Sequence, residues 1–83
     1  MPANPSLELY YYDACPYCQV VLRFLDKHDL TIIKKNTLKN RDFRDELLDR
    51  GGKTQVPALG IDGEIMYESA DIVDYLQKTM LGV

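Results

Sequence analysis

The sequence predicts a single α/β domain with the element order βαβαββα and a four-stranded mixed sheet. Three observations lead there. A segment of period two is followed at once by a helix-period stripe and then by a β-branched segment, the pattern of a βαβ unit with parallel strands. Two short apolar segments further on flank Asp62-Gly63, a two-residue pair of the kind that joins antiparallel strands. Finally, 83 residues of which 46% are apolar fill one core and leave no room for a second.

Residues 1–6 hold two prolines among polar neighbours and read as a loose leader to a domain spanning 7–83. Leu7, Leu9 and Tyr11 then alternate with Glu8, Tyr10 and Tyr12, which predicts a strand ending near Tyr12. Tyr17, Val20, Val21, Phe24 and Leu25 fall at helical spacing. A helix from about Cys15 to His28 would bury them as one stripe, with Pro16 suited to its first turn. Leu30 to Lys35 reads as the second strand. Between Arg41 and Arg50, Phe43, Leu47 and Leu48 share one face of an otherwise charged helix that Gly51-Gly52 terminates. Ala58 to Asp62 and Glu64 to Tyr67 form the hairpin. Ser69 reads as the N-cap of a last helix, whose Ile72, Val73, Leu76 and Met80 face inward.

Ten Lys+Arg against thirteen Asp+Glu give a net charge of −3, and the basic residues are scattered. No nucleic-acid partner is expected. The first residues have neither a basic start nor an apolar continuation, and no apolar run approaches the ~18 residues that a membrane span needs. A soluble, cytoplasmic monomer with no membrane partner is therefore expected. A surface position is expected for His28, which lies too far along its helix from Cys18 to share a metal ion with it.

Cys15 and Cys18 are the only cysteines. A bridge across so short a loop stabilises little, because the entropic benefit grows with the loop closed. Chemistry is the better explanation. The pair sits where a strand ends and a helix begins, and unpaired N–H groups and the positive end of the helix dipole favour a thiolate there. Cys15 is thus expected to be the acidic, attacking thiol, with Cys18 one turn on and more enclosed. Residues three apart share a helix face, so the two sulfurs can form and break a disulfide. Half of a zinc site and an inert structural pair are the alternatives that a single C-x-x-C leaves open; no metal is expected.

Cys15-Pro16-Tyr17-Cys18 after a Tyr-rich strand, then Gln55-Val56-Pro57, then Tyr67-Glu68-Ser69 with Asp71-Ile72, resembles the glutaredoxins. The likeness is strongest to the branch shared with the N-terminal half of glutathione transferases, and it covers Leu7 to Leu76. It implies a thioredoxin-like fold and a glutathione-dependent thiol-disulfide oxidoreductase, with glutathione as co-substrate and disulfide-containing or glutathionylated proteins as partners. It further implies that Pro57 is cis, that the Val56 backbone pairs with the cysteinyl part of glutathione, and that Gln55 reaches its glycyl end. Glu68 and Ser69 would take the γ-glutamyl ammonium and carboxylate, and Tyr17 would line the groove.

The chain also departs from the family pattern. Asp13 and Ala14 stand where many glutaredoxins have Lys or Arg, and Glu68-Ser69 replaces a Gly-Gly pair. Lys53 is the candidate to replace the missing cation. Three other readings of the same motifs are reduction by thioredoxin reductase, an iron-sulfur cluster shared between two chains through Cys15, and a transferase domain that binds glutathione without catalysis. Cys18 argues against the last of these, as does a chain ending at Val83, before any helical second domain.

Overall fold

In the computed structural model, which describes residues 6–81, β1 (Leu7–Tyr11) is followed by α1 (Pro16–Lys27), β2 (Ile33–Asn36), α2 (Arg41–Gly51), β3 (Ala58–Ile61), β4 (Glu64–Tyr67) and α3 (Ser69–Met80). The strands lie in the order β2-β1-β3-β4. β1 runs parallel to β2, Glu8 opposite Ile33, and antiparallel to β3, Leu9 opposite Leu59. β3 and β4 form the antiparallel hairpin. Its turn residues Asp62 and Gly63 have φ of 51° and 92°, the left-handed pair that a tight two-residue turn requires. Element order and mixed sheet are those predicted from the sequence, and they make one thioredoxin-like domain.

The sheet buries both faces. Leu7, Leu9 and Leu59 pack against Val21 and Leu25 of α1 and Ile72 and Leu76 of α3. On the opposite face Tyr10 and Ala58 meet Leu47 of α2, with Val56, Ile65 and Tyr67 around them. Tyr10 therefore belongs to the core as fully as Leu9 does. Its hydroxyl is satisfied by donating to Glu46 and accepting from Arg50 Nη1 at 3.0 Å. Lys35 and Arg50 each also reach Glu8, at 2.9 Å, so three elements are joined by one charged cluster.

Several expectations shift in detail. The second strand is Ile33–Asn36 rather than Leu30 to Lys35. After α1 the chain turns through Asp29 at φ 53°, and Leu30 and Ile32 pack on the core as a connection before pairing begins. The buried stripe of α1 is Cys18, Val21 and Leu25, while Tyr17 and Val20 point outward. Burying Cys18 rotates the helix away from the stripe that the larger side chains suggested. Leu48 and Met80, read as facing inward, are exposed. His28 is half-buried, its ring 4.6 Å from that of Phe24.

Ser69 is the first residue of α3, and Glu68 takes the cap position at φ 76°, with no side chain capping the helix. Ser6 exchanges hydrogen bonds with Asp62, its N–H donating to Oδ1 at 2.8 Å. The rest of the expected leader, residues 1–5, lies outside the described residues, as do 82 and 83.

Candidate thiol and cleft site

Cys15 caps α1. Its φ and ψ of −81° and 118° are extended, and Pro16, which has no N–H to satisfy, supplies the first helical residue. The Cys15 sulfur takes the place of a capping hydroxyl and accepts the Cys18 N–H at 3.4 Å. The thiol donates to the Val56 carbonyl, with the sulfur 3.9 Å from the oxygen. Both cysteines are free, Cys15 exposed by 5% and Cys18 by none. Burial pushes the Cys18 thiol up to about 12; the neighbouring Cys15 and the Asp13 charge act in the same direction, against a backbone hydrogen bond from Tyr12. Cys18 is consequently a neutral thiol at physiological pH.

The second part of the site is a cleft of about 380 Å³ lined by Tyr17, Gln55, Val56, Pro57, Glu68 and Ser69. These are the six residues that the resemblance assigns to a glutathione site, and three separate stretches of chain bring them together. Tyr17 comes from the first turn of α1, and its outward position opens its ring to the cleft. Gln55, Val56 and Pro57 come from the loop before β3, where the Val56–Pro57 bond is cis. Glu68 follows the hairpin and Ser69 opens α3, whose first turn presents N–H groups and a positive dipole end to whatever the cleft holds. Gln55 Nε2 donates to Glu68 Oε1 at 3.5 Å across the mouth. The cysteines do not line the cleft; Cys15 adjoins it through the Val56 carbonyl.

Asp13 and Lys53 find other partners. The Asp13 carboxylate accepts from Asn36 Nδ2 at 3.4 Å, and its carbonyl accepts from Gln19 Nε2 at 2.8 Å. Lys53 lies with Nζ 4.5 Å over the Tyr67 ring, outside the lining of the cleft. Tyr67, quoted in the sequence motif without a role, donates its hydroxyl to the Lys53 carbonyl at 3.0 Å. Among the described residues no group of three His, Cys, Asp or Glu side chains is placed to hold a metal ion.

Comparison with solved structures reaches the same architecture. A point mutant of a thioredoxin-like protein superposes with a TM-score of 0.76 at 25% identity, over 92% of this chain and 95% of that one. A glutathione transferase homologue from Drosophila mojavensis, solved with bound glutathione, gives 0.71 at 25% identity, over 89% of this chain. The chain spans only 35% of that transferase's length. The holo form of a glutaredoxin from the hybrid Populus tremula × tremuloides gives 0.67 at 19% identity, over 92% of this chain and 78% of that one, a likeness of fold. No curated protein matches the sequence. The family profile described as the N-terminal domain of glutathione S-transferase matches residues 9–80, from the middle of β1 to the end of α3. The chain thus belongs to the glutathione S-transferase N-terminal domain family, within the thioredoxin superfamily.

Proposed function

We propose that this chain is a glutathione-dependent thiol-disulfide oxidoreductase of glutaredoxin type, acting on protein disulfides and glutathionylated protein thiols in the cytoplasm. The observation that carries the reading is the junction of a capping Cys15 with the Gln55–Ser69 cleft through Val56. A glutathionyl group whose peptide runs along Val56 has its sulfur beside Cys15 and its γ-glutamyl end at Glu68 and the α3 N-terminus. There the Glu68 carboxylate meets the ammonium, while Ser69 and the helix N–H groups meet the carboxylate.

The Cys15 thiolate attacks the glutathione sulfur of a mixed disulfide. One S–S bond forms as the old one breaks, and the protein thiolate leaves with the electron pair and takes a proton from water. A second glutathione thiolate then attacks the Cys15-bound glutathione, giving oxidised glutathione and restoring the Cys15 thiolate. With a protein disulfide, Cys15 bonds to one sulfur as the other leaves as a thiolate; Cys18 then loses its proton and attacks the Cys15 sulfur, the second protein thiolate leaves, and two glutathiones reduce the internal disulfide and become oxidised glutathione. The high pKa of Cys18 favours the first route, because a neutral resolving thiol attacks slowly.

The family also admits a transferase domain that binds glutathione without thiol exchange, a reading that the match to the glutathione S-transferase N-terminal profile supports. One assay separates the two: reduction of a glutathionylated peptide by glutathione, coupled through glutathione reductase to NADPH. Turnover by the wild type that Cys15→Ser abolishes supports the oxidoreductase. A reduced but inactive wild type leaves the transferase reading in its place.

A further inference from the structure

We infer that Tyr67 is a positioning residue that sets the spacing of the two walls of the Gln55–Ser69 cleft, an inference that rests on reading this cleft as the glutathionyl site. Tyr67 is the last residue of β4 and directly precedes Glu68. Its hydroxyl donates to the carbonyl of Lys53, two residues before Gln55, at 3.0 Å. One hydrogen bond therefore ties the segment that carries Gln55, Val56 and Pro57 to the segment that carries Glu68 and Ser69. The Lys53 ammonium over the Tyr67 ring, at 4.5 Å, joins the same two segments a second time. Both contacts are exposed, and the direct one across the mouth, Gln55 Nε2 to Glu68 Oε1, is the longer, at 3.5 Å. The Tyr67 tie is the stronger of the two.

Gly51 makes the tie sterically possible. A Cβ at this last residue of α2 would stand 2.1 Å from the Tyr67 hydroxyl oxygen and 3.0 Å from Cζ. Any side chain there must displace the hydroxyl from the Lys53 carbonyl. Two changes of opposite kind therefore address one contact: Tyr67→Phe removes the donor and keeps the ring, while Gly51→Ala keeps the donor and pushes it aside.

The test compares two substrates built on one peptide cysteine, its mixed disulfide with glutathione and its mixed disulfide with cysteamine, which lacks the γ-glutamyl and glycyl groups. Thermal denaturation first confirms that both variants fold. The expected result is a fall of about two- to tenfold in kcat/KM for the glutathione disulfide, the effect of one neutral hydrogen bond. The fall is carried by KM with kcat retained, and the cysteamine disulfide is turned over as by the wild type. Equal loss on both substrates, or no loss on either, in folded variants overturns the positioning role while the reading of the cleft stands. A wild type that does not distinguish the two disulfides overturns the reading of the cleft, and this inference with it.

Discussion

Glu68→Gly should stabilise the fold while weakening the site. Glu68 holds φ 76° and ψ 117°, a backbone region that costs a residue with a Cβ about 1–3 kcal/mol. Glycine relieves that cost, although its freer unfolded chain takes back roughly 0.5–1 kcal/mol. The net gain is about 0.5–2 kcal/mol. For a domain of this length each kcal/mol moves Tm by roughly 6 °C, so Glu68→Gly should melt about 3–12 °C higher than the wild type. Glu68→Ala is the necessary comparison, since it removes the same carboxylate and keeps the Cβ that causes the strain. It should melt within about 3 °C of the wild type, because the Gln55 contact that both variants lose is exposed and contributes little. Both should lose about tenfold in kcat/KM for the glutathionylated peptide, as expected for a charged hydrogen bond to the substrate ammonium. Differential scanning calorimetry and the coupled assay give the two readouts. A Glu68→Gly protein that melts no higher than Glu68→Ala would refute the strain at this position. Unchanged turnover in both would remove Glu68 from the binding site.

Leu47→Ala should cost about 2–5 kcal/mol in urea denaturation, because Leu47 is the side chain of α2 that is buried completely, against Tyr10 and Ala58; a cost below about 1 kcal/mol would show that this face is not a packed core. Alkylation by iodoacetamide at pH 8 should place a single adduct on Cys15, with Cys18 protected as a buried thiol pushed up to about 12; two adducts at equal rates would contradict that burial. Stability should be flat between about pH 5 and 8 and fall on both sides. The acidic limb follows from Glu8 and Glu46, each held below the ordinary 4.5 by hydrogen bonding to Lys35 first of all, so their contribution is lost as pH drops through the lowered values. The alkaline limb follows first from Cys18, pushed up to about 12 by burial, then from Lys35, where burial acts downward but hydrogen bonds to Glu46 and Glu8 prevail and raise it above 10.5, and from Tyr10, raised by burial and by Glu46. A Tm that keeps rising below pH 4 would contradict the acidic limb.

The parts of the fold that the sequence displayed are those in which local pattern and tertiary environment agree. Asp62-Gly63 specified its turn because few residue pairs accept two positive φ values, and Gly52 at φ 82° ended α2 for the same reason. The α1 stripe was legible only in part. Periodicity weights large side chains, and it favoured Tyr17 and Val20 over a cysteine that the fold buries completely. Tyr10 was ambiguous for a similar reason, since an alternating pattern does not reveal that α2 covers the second face of the sheet. The Ser69 cap failed by one position, because a serine at the first helical residue looks the same in sequence as one at the cap.

The site was legible as a set of residues but not as a mechanism. Motif order brought Tyr17, Gln55, Val56, Pro57, Glu68 and Ser69 into view, and the fold gathers all six around one cleft. What no motif displayed was the framework behind them. The Tyr67 tie to Lys53 and the space that Gly51 leaves for it depend on how α2 docks beside β4, a long-range contact with no periodic signature. Asp13 is a comparable case. It stands where many glutaredoxins have a cation, and its carboxylate reaches Asn36 while its charge adds to the rise of the Cys18 thiol.

Mass spectrometry of trapped intermediates shows whether Cys15 takes the glutathionyl group from substrate. The Cys18→Ser protein is mixed with a glutathionylated peptide in the absence of free glutathione, quenched with acid and digested. One glutathione on Cys15 and an equal amount of reduced peptide are expected, with no transfer to Cys15→Ser under the same conditions. Contradiction would come from the peptide itself becoming linked to Cys15, which would put the cleft on the wrong side of the disulfide, or from glutathione remaining on the peptide.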